Sequence, residues 1–227
     1  MNKTFTPERI KVTSPIDNTY IESISINSTK DLNTYVEIAE NAFISWSAKT
    51  HRERAQVLYN YRQLLIDKIE ELSELVQREN GKTIGEAKAE IEKAIEVTEF
   101  ACSIPQICTD KSLEVSSGIH CRVSKKPLGV VASITPFNFP SMVPHWTIPI
   151  SIAVGNCLIL KPSEIVPLSV LKTADLLKEA GLPEGVFQVI IGKKEMVEAI
   201  CDHPKIKAVS FVGSTKVAKI VYERASK

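Results

Sequence analysis

One segment limits what this chain can fold into: the 34 residues of Pro127–Leu160 contain no Asp, Glu, Lys or Arg, although 24% of the chain is charged. Its most apolar part, Met142–Leu160, is nearly as long as a transmembrane helix, which needs about 20 apolar residues. That part nevertheless contains prolines, a histidine, a glycine and an asparagine, and no positive cluster flanks it. Its hydrophobic periodicity also breaks in the middle. We therefore predict that the segment does not span a membrane and forms the interior of a soluble α/β domain.

The composition allows a substantial core and argues against one class of partner. With 227 residues, 44% of them hydrophobic, the chain is long enough for one or two domains. Its 28 basic and 27 acidic side chains are spread along the sequence, so we expect no nucleic acid partner. The five cysteines form no CxxC pair, and the N-terminus shows no apolar signal segment. Both features favour reduced thiols in the cytoplasm, or in an organellar matrix.

The chain divides into two parts with different sequence patterns, and the first comprises residues 1–117. Turn formers and alternation at its start give way to helical spacing, with a capping box at Thr50 and Glu53 and a helix stop at Gly81. We interpret the charged faces of these helices as solvated surfaces without a chemical role. The predicted elements are extended segments in 10–28 and helices at 31–47 (capped by Asp31), 50–80 and 84–103.

The second part, residues 118–227, alternates strands with helices. Its β-branched run at 129–135 is typical of a strand buried on both faces. Strict alternation indicates a parallel sheet with right-handed crossovers, so the fold class is α/β, a helical lead-in followed by a doubly wound sheet. The predicted strands lie in 119–129 and at 129–135, 157–160, 186–191 and 208–212, and the predicted helices at 142–154, 168–180, 194–201 and from 214 onward.

The first polar strand end is Thr135-Pro136-Phe137-Asn138-Phe139-Pro140. Ligands of doubly wound sheets bind beyond the carboxyl ends of the strands. Two prolines restrict the backbone on either side of Asn138, which suits an amide that must keep one direction. Such an amide can donate to an oxyanion, a contact worth about 3 kcal/mol of transition-state stabilisation in other enzymes. The alternative is an asparagine that only forms a turn.

The second strand end is Lys161-Pro162-Ser163-Glu164. A lysine at the end of a buried strand is costly unless it meets an anion or a polar ligand. Glu164 can accept hydrogen bonds from ribose hydroxyls, and its charge would repel a 2′-phosphate, which favours NAD over NADP. The alternative is that Ser163 caps a helix and that the charges beside it are incidental.

The third strand end, Phe211–Lys216, enters a helix through a glycine. Gly213 allows close approach of the backbone, and Ser214 offers both a cap and a hydroxyl. The start of the helix presents free N–H groups that could bind a pyrophosphate. The turn lacks the GxGxxG pattern, so it indicates a phosphate site only together with the other two strand ends.

In this order, PFNFP, GN(x)4KPSE and FVGST resemble the aldehyde dehydrogenase superfamily, whose cofactor domain carries all three. The resemblance covers nearly the whole chain. Residues 79–106 and 129–156 look most like the CoA-acylating methylmalonate-semialdehyde dehydrogenases, in which Phe replaces the Trp that precedes this asparagine in many relatives. It implies an aldehyde-dehydrogenase-like fold whose Rossmann-type sheet is truncated here.

The resemblance also implies roles for single residues, with Asn138 as the oxyanion donor. Ile165 departs from the subfamily, which often has Arg at this position, and we expect weaker cofactor affinity as a result. The implied cofactor-binding residues are Thr135 and Phe137, with Pro136 between them, on the nicotinamide side, Lys161 and Glu164 at the adenosine ribose, Ile165 beside the adenosine, and Gly213 with Ser214 at the pyrophosphate.

By the same resemblance, the reaction is the NAD-dependent oxidation of methylmalonate or malonate semialdehyde to an acyl-CoA, as in valine or inositol catabolism. CoA is the co-substrate, no metal is needed, and members form homo-oligomers. Their nucleophile is a cysteine in a later Gly-Gln-x-Cys segment. None of the five cysteines here has that setting: Cys102, Cys108, Cys121, Cys157 and Cys201. We therefore expect an incomplete cofactor part, no catalytic domain, and no turnover by this chain alone.

Three hypotheses remain open at this point. The chain is the N-terminal part of such an enzyme, from a split, interrupted or shortened gene. Alternatively, it is a non-enzymatic relative that retains residual nucleotide binding or pairs with another chain, or it is part of another semialdehyde dehydrogenase. An early end of the sheet would leave an unpaired strand edge, from which we expect aggregation or capture of a partner.

Overall fold

The computed structural model of this chain describes residues 8–227. Our prediction that the N-terminus carries no signal segment falls in part on residues 1–7, which lie outside the described range. The elements of the first part are β1 (Arg9–Thr13), β2 (Tyr20–Ser25), α1 (Thr29–Ala48), α2 (His51–Asp67), α3 (Ile69–Asn80), α4 (Ile84–Cys102), α5 (Ile104–Ile107), β3 (Lys111–Ser116) and β4 (Ile119–Val123). Those of the second part are β5 (Val130–Ile134), α6 (Met142–His145), α7 (Ile148–Ala153), β6 (Cys157–Lys161), α8 (Leu168–Glu179), β7 (Phe187–Val189), α9 (Lys194–Asp202), β8 (Ile206–Phe211) and α10 (Thr215–Ala225).

The main sheet has four parallel strands in the order β7-β6-β5-β8. The chain first moves outward from β5 to β6 and β7, and then returns to place β8 on the other side of β5. The strand order therefore reverses between β5 and β8, which is the point where doubly wound sheets form a ligand crevice. The predicted parallel, doubly wound sheet is confirmed.

Helices cover both faces of this sheet. Every residue of β5 and β6 is buried, as a strand between two helical layers must be. Because parallel crossovers are right-handed, the reversal of direction after β7 puts α9 on the face opposite α7 and α8. α1 packs on β5, β6 and β7 and contacts α9, whereas α2 packs against α7 and α8. The N-terminal helices thus form outer layers of the same α/β unit.

The uncharged segment forms the centre of this unit. It supplies β5, the first loop of the carboxyl edge, α6, α7 and nearly all of β6. Among the helices of residues 8–227, none combines the length and the apolar character that crossing a membrane requires. The missing charges are explained by burial, since β5 and β6 have helices on both faces.

Two predicted helices are divided in the structure. The helix predicted over 50–80 bends at Lys68, whose ψ of 18° separates α2 from α3; we find no glycine or proline there that could have signalled the break. The helix predicted over 142–154 divides between α6 and α7, because Pro149 has no N–H to continue the ladder and occupies the first turn of a new helix.

The prediction that Asp31 caps α1 is also wrong. Ser28 is the N-cap, and Asp31 is the third helical residue, which accepts a hydrogen bond from the Ser28 backbone N–H at 2.6 Å. Asp31 thus belongs to a reciprocal capping box instead of preceding the helix. The capping box of Thr50 and Glu53 and the left-handed stop at Gly81, with a φ of 86°, are confirmed.

A hairpin stands outside the main sheet. β3 was not predicted, and it pairs with β4 in a separate two-stranded antiparallel sheet whose residues are all exposed. The boundary predicted between residues 117 and 118 falls in its turn. By strand alternation, one face of the hairpin carries Leu113, Val115, Ile119, Cys121 and Val123. An exposed apolar face of this kind is typical of a surface that another element covers.

Candidate functional site

Backbone hydrogen bonds bring the three predicted strand ends together. The Thr135 N–H donates to the Lys161 carbonyl at 3.1 Å, which joins the first strand end to the second. The Val212 N–H donates to the Ile134 carbonyl, also at 3.1 Å, which joins the third to the first. The loops that follow β5, β6 and β8 therefore leave one continuous carboxyl edge, on both sides of the switch point.

The first loop begins with a buried hydroxyl. Thr135 is 5% exposed. In the part of the chain that the structure describes, its Oγ1 is the one buried side-chain oxygen or nitrogen without a hydrogen-bond partner. Such an atom is costly unless a ligand or water completes it. Farther along the loop, Phe137 and Asn138 are exposed, so the amide predicted as an oxyanion donor stands at an accessible position.

The second loop holds a buried lysine. The Lys161 side chain is 7% exposed, and its Nζ lies 3.0 Å from Oε2 of the half-buried Glu164. Partial burial alone would raise the pKa of Glu164, but its own backbone N–H and the Lys161 ammonium outweigh this and hold the pKa below its usual value. Glu164 is therefore an anion at neutral pH. Lys193, before α9, adds a smaller positive contribution that the sequence did not indicate.

The alternative reading of this loop, in which Ser163 caps a helix, is wrong. α8 begins five residues later at Leu168, and its N-cap position is Pro167. The Ser163 hydroxyl instead accepts from the Ile165 N–H at 3.4 Å within the turn. Ile165 itself is 60% exposed at this edge.

The third loop presents the start of a helix to the same edge. Ser214 is the N-cap of α10, and its Oγ accepts from the Val217 N–H at 3.5 Å. The first N–H groups of a helix have no partner within it and bind anions readily. Gly213 leaves room for the Phe211 ring, since a Cβ there would lie 2.5 Å from Cζ of that ring.

The predicted residues share an open edge of the sheet. A groove of about 560 Å³ lies elsewhere, along β7 between α1 and α8. Four groups lie side by side at the edge. They are the Thr135 hydroxyl, which lacks a hydrogen-bond partner, the buried Lys161 side chain, the ionised Glu164 carboxylate and the start of α10. These groups fit the hydroxyls, phosphates and amide of a dinucleotide. Between residues 8 and 227, no three His, Cys, Asp or Glu side chains gather closely enough to hold a metal ion.

The cysteines lie away from this edge. Cys157 begins β6, about 13 Å from Lys161 at the rise of a strand, and burial raises its pKa to about 12. Cys102 ends α4, and burial raises its pKa to about 11. Cys121 is on the exposed hairpin, and Cys201 is in α9, ahead of the amino end of β8. The three loops contain no cysteine, so none of them provides a thiol for nucleophilic attack.

Two glutamates of the helix faces that we had interpreted as solvated also reach the site. Glu79 and Glu90 are 1% and 2% exposed, and they accept hydrogen bonds from backbone N–H groups that follow the second and first loops. Asn80 and Lys82 contact the first loop itself. Helical periodicity gave no sign of these roles, because a buried carboxylate and a surface carboxylate look alike in a sequence.

Comparisons with known proteins agree with this geometry. The model of the aldehyde dehydrogenase family matches residues 3–227. A malonate-semialdehyde dehydrogenase of Bacillus pumilus (strain SAFR-032) is 43% identical over 216 residues, which are 95% of this chain and 44% of that protein. This chain thus spans less than half the length of such relatives.

Two solved structures are similar over 96% of this chain and 45% of theirs. The methylmalonate-semialdehyde dehydrogenase DddC of Oceanimonas doudoroffii has a TM-score of 0.94 and 40% identity. A putative methylmalonate-semialdehyde dehydrogenase of Sinorhizobium meliloti 1021, complexed with NAD, has a TM-score of 0.93 and 41% identity.

Proposed function

This chain belongs to the aldehyde dehydrogenase family, and we propose that its sheet edge binds NAD and presents Asn138 to an aldehyde. The observation that carries this proposal is the pair of backbone hydrogen bonds that aligns Thr135, Lys161 and Val212 on one edge. The similar structure complexed with NAD supports the same cofactor. Bound NAD supplies a hydride acceptor.

Each loop has its own task in this proposal. Lys161 and Glu164 hold the hydroxyls of the adenosine ribose, and the N–H groups that follow Ser214 bind the pyrophosphate. The Thr135 hydroxyl forms its missing hydrogen bond with the nicotinamide side of the cofactor. The Asn138 amide donates to the aldehyde oxygen as negative charge develops there, which stabilises the transition state.

We further propose that the whole protein oxidises malonate or methylmalonate semialdehyde to an acyl-CoA, with CoA as co-substrate. The relatives named for these two aldehydes, at 40–43% identity, support this choice. Another semialdehyde would use the same cofactor edge and would differ only in contacts outside it. Comparing the two aldehydes as substrates of the active assembly, with and without CoA, tests the assignment.

The proposal predicts that NAD binds about tenfold more tightly than NADP, because the ionised Glu164 repels a 2′-phosphate. Titrations followed by tryptophan fluorescence measure both dissociation constants. The Glu164→Gln variant should reduce the preference for NAD over NADP. The control variant Glu74→Gln, on the exposed face of α3, should leave this preference unchanged. Equal affinity of the unsubstituted chain for both cofactors would contradict the role of Glu164.

We also predict that the 227 residues alone bind NAD but do not reduce it. None of their cysteines lies in the three loops, and burial raises the pKa of Cys102 and Cys157 far above neutrality. The assay is NADH absorbance with methylmalonate semialdehyde and CoA. NADH production that depends on a thiol of this chain would overturn the prediction.

Assembly is proposed on the basis of the exposed hairpin. Its apolar face, with Leu113 and Val115 each 60% exposed, suits burial against a second copy or against a complementary chain with the catalytic domain.

The five cysteines form no disulfide, which suits the reducing cytoplasm.

A further inference from the structure

The corner between α3 and α4 sends neighbouring side chains to the first loop of the site. The Asn80 side-chain amide donates to the Phe137 carbonyl at 2.8 Å. Lys82 Nζ donates to the Asn138 carbonyl at 3.1 Å and lies 4.5 Å from the centre of the Phe139 ring. Two consecutive backbone carbonyls, those of Phe137 and Asn138, therefore accept hydrogen bonds from this corner, and they restrain the backbone that carries the Asn138 side chain.

Glu90 completes the hold on this loop. Its Oε1 accepts from the Ser141 N–H at 2.7 Å and from the Met142 N–H at 3.0 Å. Its other oxygen pairs with Lys82 Nζ. Lys82 and Glu90 are buried to 11% and 1% side-chain exposure, where an ion pair is worth keeping only if its remaining hydrogen bonds are made. Here they are made, to the Asn138 carbonyl in the loop and to the two N–H groups that directly follow it.

The residue before Asn80 holds the second loop instead. Glu79 accepts from the Leu168 N–H at 2.7 Å, from the Ser169 N–H at 2.8 Å and from the Ser169 hydroxyl. These groups form the first turn of α8, directly after the loop of Lys161 and Glu164. A carboxylate caps the helix start that ends this loop.

The corner packs closely against the turn between β1 and β2. Gly81 has a φ of 86°, which favours glycine, and a Cβ there would lie 2.7 Å from Cγ of Pro15. A side chain at position 81 would therefore displace the corner from Pro15.

We propose that the corner Glu79–Lys82 is a positioning element that fixes the spacing between the loop of Asn138 and the loop of Lys161 and Glu164. It rests on the proposed NAD site for its ligand. It adds that sheet pairing sets the spacing of the two loops only where they begin, and that residues on the outer helices hold the parts of the loops beyond the sheet, which NAD spans. Glu79 controls the adenosine end, and Asn80 controls the nicotinamide end.

The first test is amide hydrogen exchange of the ligand-free chain at pH 8. In Asn80→Ala, we expect exchange about fivefold faster in residues 137–143 alone, because one neutral hydrogen bond is lost. In Glu79→Gln, we expect exchange about tenfold faster or more at Leu168 and Ser169 alone, since an amide has one acceptor oxygen where the carboxylate has two.

The matched control is Asn60→Ala. The Asn60 side-chain amide also donates to a distant backbone carbonyl, that of Ala180, at 3.2 Å. This contact is away from both loops, so the variant should leave exchange in both unchanged. A common loss of stability would speed exchange everywhere and would be recognised by this control.

The second test compares NAD with AMP, which carries only the adenosine end. Glu79→Gln should weaken both ligands about fivefold or more, whereas Asn80→Ala should weaken NAD and leave AMP unchanged. A purely structural role would weaken both ligands alike in both variants, or neither. That result, or unchanged exchange in the two loops, would overturn the positioning role.

The two tests also separate this inference from the proposed cofactor. If the unsubstituted chain binds neither NAD nor AMP while the local exchange effects appear, the NAD site fails and the corner still holds the two loops. If NAD binds but neither variant changes exchange or affinity, the NAD site stands and the positioning role is rejected.

Discussion

Replacing Lys161 by methionine is expected to weaken NAD binding about 30-fold while leaving the fold intact. A hydrogen bond from a charged donor contributes about 1.5–3 kcal/mol, or about 10- to 150-fold in affinity. Methionine keeps most of the apolar stem, which matters because the Lys161 side chain is 7% exposed. Calorimetric titration gives the dissociation constant, and urea unfolding gives the stability.

The matched control for this variant is Lys172→Met. Lys172 also pairs with a glutamate, Glu71, at 2.5 Å, but on the helical surface away from the sheet edge. It should bind NAD like the unsubstituted chain. Unchanged affinity in Lys161→Met, or an equal loss in the control, would show that the ligand does not reach the carboxyl end of β6.

The second large effect is acid sensitivity from a buried histidine. His145 is 0% exposed, with Nε2 2.7 Å from the Tyr61 hydroxyl and Nδ1 2.6 Å from the Ser141 carbonyl. Burial lowers its pKa from 6.5 to about 4, against the smaller opposing effect of the Ser141 carbonyl. The ring is therefore neutral in the folded chain at pH 5, where the unfolded chain binds a proton.

This difference is expected to remove about 3 kcal/mol of stability as the pH falls from 6.5 to 4. The sign follows from the lowered pKa: the contribution is fully present above pH 6.5 and is lost as the pH falls through 4. The difference in urea-unfolding free energy between the unsubstituted chain and a variant without the histidine measures it across this range. The double variant Tyr61→Phe/His145→Leu, which removes both polar partners, should lack this loss, whereas Tyr61→Phe alone should keep it.

The variants must be compared with the unsubstituted chain because the titration of Glu79 changes the stability in the opposite direction. Burial raises its pKa to about 7, despite its hydrogen bonds to Ser169 and Leu168. Its contribution is present below about pH 4.5 and is lost as the pH rises through 7. The two effects partly cancel in the unsubstituted chain. A double variant as acid-sensitive as the unsubstituted chain would show that His145 is not the cause.

The order of elements and the strand ends could be predicted because their signals are local. The β-branched run of 129–135, the capping box at Thr50 and the left-handed stop at Gly81 depend on neighbours within a few residues. The bend at Lys68 and the pairing of β3 could not be predicted, since the first has no local signal and the second requires a partner strand.

The sequence by itself determined which residues stand at the carboxyl ends of buried strands, because strand propensity and alternation act over short distances. Only the tertiary structure decided that the three loops share one edge, and that the corner at Glu79–Lys82 holds two of them. Asn80 and Phe137 are 57 positions apart, and Glu79 and Ser169 are 90 apart. Such contacts form only when helices pack on the sheet, and burial then gives a carboxylate a partner and a role that its place in a helical pattern does not reveal.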